Sequence, residues 1–122
     1  RVAGMSHSLL PEPRRGVVPE NPAKFVATAI PALLAEMEAR GADRARITAR
    51  LVGGATMFGN LLAKRTMHTG ERNVAVARSV LAAEGVPLVG EEVGKEHGRS
   101  VYFHAADGRV EVRSYRDGEV IL

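Results

Sequence analysis

Two stretches of this chain, residues 22–40 and 72–84, repeat apolar side chains at helical spacing. Each stops on a glycine, and each is soon followed by a short β-like run. Switching between a period of 3.6 and a period of 2 constrains the fold more than any other feature, because helices and strands that alternate must pack in layers. An apolar-rich opening over residues 2–9 and further strand-like runs after residue 93 complete the order strand, helix, strand, helix, strands. This order predicts an α/β fold: a single-domain sandwich over residues 1–122, with a mixed β-sheet and two main helices packed against it.

Local signals set the boundaries. The opening run is stopped by Pro11 and Pro13 and reads as a strand, and residues 11–22 hold four of the six prolines plus Gly16, which reads as a loop. Asn21-Pro22 has the order of an N-cap followed by proline at the first helical position. Phe25, Ala29, Leu33 and Met37, with Ile30 and Leu34 beside them, form one apolar face, and the helix is expected to survive Pro31 and to end at Gly41. Residues 47–52 alternate as a strand and run into Gly53-Gly54. The second helix buries Val74, Ala77, Val80 and Leu81, takes Thr69 as a candidate cap and stops at Gly85. Residues 86–93 are a third strand. Runs at 100–104 and 109–115 flank Ala106-Asp107-Gly108 as a hairpin, so the sheet is not all parallel. Asp117-Gly118 marks a further turn before a short tail.

Composition narrows the function classes. The net charge is +3, but Arg14-Arg15 and Lys64-Arg65 are the only adjacent basic pairs and aromatics are 4% of the chain. The basic residues are scattered rather than gathered in a stripe and few stacking platforms for bases are left, so a solvated basic surface is expected rather than a nucleic-acid site. Such a surface can still help docking on an acidic protein. No apolar run approaches the roughly 20 residues that span a bilayer, and residues 1–5 lack the pattern of a signal peptide. The absence of cysteine excludes disulfides and thiol chemistry from the residues of this chain, and suits a reducing cytoplasm.

Few residues point to chemistry. His7, His68, His97 and His104 are dispersed without a short ligand pair, and Glu91-Glu92 would face opposite ways in a strand, so no metal site is expected. No cofactor motif is present either. Gly53-Gly54-Ala55 lacks the Lys-Ser/Thr ending of a phosphate loop, and its glycines read as a place where backbone passes close to a neighbour. His7 stands near the end of the opening run, just before the proline loop. The simpler reading is a surface histidine that only hydrogen-bonds. The sharper one is a general base, since imidazole titrates near neutrality. Ser6 and Ser8 would point away from His7 in an extended segment, which argues against a local Ser-His pair.

Several segments in order resemble the CheD family. They are Gly4-Met5-Ser6-His7 running into Leu10-Pro11, Lys24-Phe25 with Thr28-Ala29, and Gly53-Gly54-Ala55-Thr56-Met57-Phe58. Gly70-Glu71-Arg72-Asn73 and Gly98-Arg99-Ser100-Val101 follow. Gly94-Lys95 departs from the Gly-Gly that the family tends to have there. The resemblance implies a deamidase that hydrolyses glutamine side chains on chemoreceptor helices, working in the cytoplasm through a Cys-His-Thr set, with His7 as the base. It also implies association with a CheC-type phosphatase. The family's Cys and Thr lie on a strand upstream of the histidine motif, and Thr28, Thr48, Thr56, Thr66 and Thr69 do not match the family's threonine. A longer form is therefore expected to carry the nucleophile, and the 122 residues alone are expected to be inactive. A second reading is a binding module for the phosphatase or receptor helices that performs no chemistry.

Overall fold

Over residues 1–56 and 68–122, which the computed structural model describes, there are two α-helices and five strands. They are α1 (Val26–Ala39), β1 (Ala49–Gly53), α2 (Thr69–Ala83), β2 (Leu88–Val93), β3 (Ser100–His104), β4 (Arg109–Ser114) and β5 (Gly118–Ile121). Met57-Phe58, Lys64-Arg65 and Thr66 lie outside the described residues. β1 and β2 pair in parallel, with α2 in the crossover between them, while β3, β4 and β5 form an antiparallel sheet in that order. The expected α/β domain with both kinds of pairing and two main helices is present, its strands divided between two sheets.

The core forms where the helices meet the parallel pair. Leu34 of α1, Ile47 ahead of β1, Leu81 of α2 and Val86 ahead of β2 are buried together, with Ile30, Met37 and Leu51 packed around them. Each fully buried aliphatic side chain of this kind contributes about 1.5–3 kcal/mol. Pro31 is accommodated inside α1, and Gly41 at φ 97° ends the run as expected. The start of α1 differs from the sequence reading. Asn21 does cap, accepting from Ala23 N at 3.2 Å, but it caps a 3-10 turn over Pro22–Lys24. Phe25 is extended and bridges Leu10, so the α-helix starts only at Val26.

The opening strand expected over residues 2–9 is not formed. These residues form a limb without regular secondary structure, and among the described residues the only ladder contact near them is the single bridge from Leu10 to Phe25. A strand requires a partner running beside it, and here the limb lies on α1 instead. A Cβ on Gly4 would come within 2.8 Å of Leu33 Cδ1 and 3.0 Å of Met37 Sδ.

Helix α2 begins at Thr69, so Thr69 is its first helical residue rather than its cap. His68 takes the cap position without a side-chain hydrogen bond. The glycine just inside explains the geometry. A Cβ on Gly70 would sit 2.5 Å from Gly54 O and 2.6 Å from Ala55 O, and one on Gly54 would strike Val74 Cγ2. Gly54 also holds φ 69°. The two glycine motifs of the sequence are therefore the two sides of one backbone contact, which seats α2 against the end of β1.

Gly70→Ala should therefore lower thermal stability, even though alanine favours a helix by about 1 kcal/mol. The carbonyl oxygens it would meet belong to backbone and cannot rotate away, which places the cost toward the upper end of the roughly 1–3 kcal/mol of overpacked sites. A melting curve checks this, and an unchanged or raised Tm would contradict the contact.

The hairpin stands as read, with Tyr102 opposite Glu111 and the turn closed by Gly108 N to His104 O at 2.8 Å. The tail after Asp117-Gly118 is more than a tail, because β5 pairs with β4 from Ser114 opposite Gly118 to Glu111 opposite Ile121.

Candidate active site

The opening limb, α1, β1 and β3 enclose one open groove of about 1200 Å³. That is larger than the roughly 300–1,000 Å³ of an ordinary small-ligand pocket. Leu33 and Met37 of α1, Leu51 of β1, and Val101 and Phe103 of β3 supply apolar wall. His7, His97 and Arg99 are among its polar lining, with Asp43, Arg46 and Arg50.

His7 is exposed on this wall. The residues that follow it are anchored rather than free. Leu9 N and Leu10 N donate to Lys24 O at 3.0 and 3.1 Å, Val26 N donates to Leu10 O at 2.8 Å, and Ala27 N to Pro11 O at 2.9 Å. Asn73 of α2 reaches the limb from the other side, its Nδ2 donating to Leu9 O at 3.2 Å. Ser8 Oγ is committed to Ala23 O at 2.9 Å, so it does not serve as a nucleophile for His7.

His97 and Arg99 come from the connection between β2 and β3. Arg99 is almost fully buried, its side chain 2% exposed. It pairs through Nε with Glu92 and donates through Nη2 to Gly94 O at 2.7 Å. Burial alone would push the Glu92 carboxyl up; Lys95 and Arg99 outweigh burial and hold it below its usual value. Glu91 points the other way, to Arg78 at 2.6 Å, as strand alternation requires. Lys95 adopts φ 63°, a left-handed conformation that costs a non-glycine residue about 1–3 kcal/mol. Its ammonium offsets part of this by bonding Glu92 at 2.6 Å and Asp117 at 2.7 Å. Both His97 ring nitrogens are buried without a hydrogen bond among the described residues; Nε2 lies 3.2 Å from Asp117 Oδ2 but off the line that a hydrogen bond needs. His97 belongs to no motif that would have marked it as a groove residue, and only the fold brings it to the same groove as His7.

The other two histidines stand elsewhere. His68 caps α2. His104 lies on the opposite face of the antiparallel sheet from Val101 and Phe103, within 3.2 Å of Glu111. Glu111 is buried among Arg113, His104 and Glu119, and the Arg113 guanidinium, with the His104 ring next, holds its carboxyl at about 2. Its folded value is depressed from an ordinary 4.5, so its contribution to stability is complete above that value and is lost as pH falls toward 2. Melting curves across that window should show Tm falling with acid. Glu111→Gln should flatten this part of the profile, and an equally steep loss in the variant would contradict the assignment.

Among the described residues, β1 pairs only with β2 and β3 only with β4, and both edge strands contribute to the groove wall. Unpaired edges of this kind can hydrogen-bond a further strand. No group of three His, Asp or Glu side chains is placed to hold a metal ion among the described residues. The groove thus offers an exposed imidazole on an anchored limb, an apolar wall and two open sheet edges, but no thiol, since the sequence has none.

Fold and groove together define a small α/β domain with a solvent-open, histidine-bearing cleft. The chain belongs to the CheD family: the family model described as CheD chemotactic sensory transduction matches residues 9–114. A probable chemoreceptor glutamine deamidase CheD of Pyrococcus horikoshii is 40% identical over 121 residues, covering 99% of this chain and 74% of the relative. That of Thermococcus kodakarensis is 40% identical with the same coverage. The chemoreceptor glutamine deamidase CheD of Halalkalibacterium halodurans is 37% identical over 120 residues, covering 98% of this chain and 74% of the relative. No helix among the described residues is long and apolar enough to cross a membrane.

Proposed function

We propose that this chain is the histidine-bearing part of a protein-glutamine deamidase acting on chemoreceptor helices in the cytoplasm, and that His7 is its general base. Family membership supports the reaction. The observation that carries the role of His7 is its exposed place on the wall of an open groove, on a limb anchored by both helices.

The nucleophile would come from a cysteine on a strand preceding residue 1, lying in the groove against the open edge of β1 or β3. His7 takes the thiol proton, and the thiolate sulfur bonds to the glutamine side-chain carbonyl carbon, whose π electrons move to oxygen. When the tetrahedral intermediate collapses, the carbon–nitrogen bond breaks and ammonia leaves with the proton that His7 returns. Water, deprotonated by His7, then attacks the thioester. The carbon–sulfur bond breaks, leaving glutamate and a free thiol.

The exposed apolar side chains of Met5 (57%) and Leu9 (63%) flank His7 and supply a surface on which a receptor helix or a CheC-type phosphatase could dock. The test is ammonia release from a receptor fragment by a cysteine-bearing longer form and by the 122-residue chain. Release by the longer form alone is expected. Binding by both forms with no ammonia from either would mean a docking module instead.

A further inference from the structure

Asn73 links the second turn of α2 to the limb that carries His7. The acceptor it meets is a backbone carbonyl, Leu9 O at 3.2 Å, so the amide must present its NH2 group there. Oδ1 is then turned inward, buried and without a hydrogen bond among the described residues. A buried acceptor left unpaired destabilises a fold. Stability alone therefore gives no reason for an asparagine here, since leucine has a similar size and no acceptor to satisfy. What the amide does supply is a hold on Leu9, two residues from His7.

Among the described residues the limb is otherwise hydrogen-bonded through Ser8, Leu9, Leu10 and Pro11 to the turn over Pro22–Lys24 and the first residues of α1, and through Arg1, whose Nη1 donates to Ala106 O at 3.4 Å. The nearby pair of Arg72 and Glu12, at 3.7 Å and exposed on both sides, adds little. Asn73 thus ties to α2 a limb that the start of α1 already holds. The close approach of Gly70 to Gly54 and Ala55 fixes α2 itself on the end of β1, so the hold is referred to the groove wall.

We infer that Asn73 is a positioning residue: by clamping the Leu9 carbonyl it holds the limb so that the His7 imidazole stays at the groove. The inference rests on the reading of His7 as the base. It is tested with Asn73→Asp, which keeps the shape and loses the donor, and Asn73→Leu, which also removes the unpaired acceptor. In the cysteine-bearing form both variants should lower kcat about 10–100-fold with little change in KM, as small misplacements of a catalytic group do. Over the same comparison Asn73→Leu should keep its Tm. In the 122-residue chain, amide relaxation and hydrogen exchange should show residues 7–10 loosened while α2 stays protected. Unchanged kcat, or a loss of activity that follows a loss of Tm, would overturn the inference while leaving the deamidase reading intact. If the unmodified longer form releases no ammonia, the deamidase reading falls; the relaxation measurement still decides the clamp, and an unloosened limb overturns it.

Discussion

His7→Ala in a cysteine-bearing form should lower kcat for receptor glutamine hydrolysis about 10²–10⁴-fold, the usual contribution of a positioned general base. KM should change little, because the apolar wall of the groove, Leu33 and Met37 of α1 with Val101 and Phe103 of β3, is untouched. The residual activity carries its own signature. Without a base the thiol ionises unaided, with a pKa of about 8.5, so the variant's rate should climb with pH toward that value. An alanine variant with undiminished kcat would remove His7 from the mechanism.

The largest effect on stability is expected from Glu92→Gln. Arg99 is 2% exposed, and the substitution leaves its guanidinium charge buried opposite a neutral amide. Breaking one half of a buried pair costs about 3–5 kcal/mol. For a domain of this size that lowers Tm by about 10 °C or more. Replacing both members, Glu92→Leu with Arg99→Met, removes the stranded charge and should cost less than Glu92→Gln alone. Calorimetry of the three proteins checks the order, and a double variant that is the least stable would contradict it. The pair also matters to the groove, since Arg99 is held to Gly94 O and Glu92 in the connection that brings His97 to the wall.

How much of this was legible in the sequence depends on whether each signal is local. The β3–β4 hairpin is readable because alternation and an Asp-Gly turn specify the same register. The helix stops at Gly41 and Gly85 are readable because each glycine holds a positive φ, 97° and 70°, that other residues rarely adopt. The opening limb is not readable: its composition suits a strand, but strand structure depends on a partner that the local pattern does not reveal. The start of α1 is blurred for a related reason, since Asn21 and Pro22 begin a helical turn that Phe25 interrupts in order to bridge Leu10.

The site divides in the same way. His7 is legible as a candidate from its chemistry and its place before the prolines, and the family resemblance gives that candidate a role. Gly54 and Gly70 are each legible as unusual, but their facing one another is a tertiary fact. Nothing along the chain says that Arg99, rather than any other arginine, loses its water, or that Asn73 reaches Leu9 across 64 residues. Lys95 shows the limit from the other side. The sequence flags its departure from glycine, and the structure shows a left-handed backbone that its two carboxylate partners help to hold.

The central claim is that the groove at His7 is a deamidase site completed by a strand from upstream of residue 1. A crystal structure of a cysteine-bearing longer form tests it most directly. The account predicts that strand hydrogen-bonded to the open edge of β1 or β3, with its thiol sulfur within hydrogen-bond reach of the His7 ring. A groove that stays open, or a cysteine placed away from His7, would contradict it.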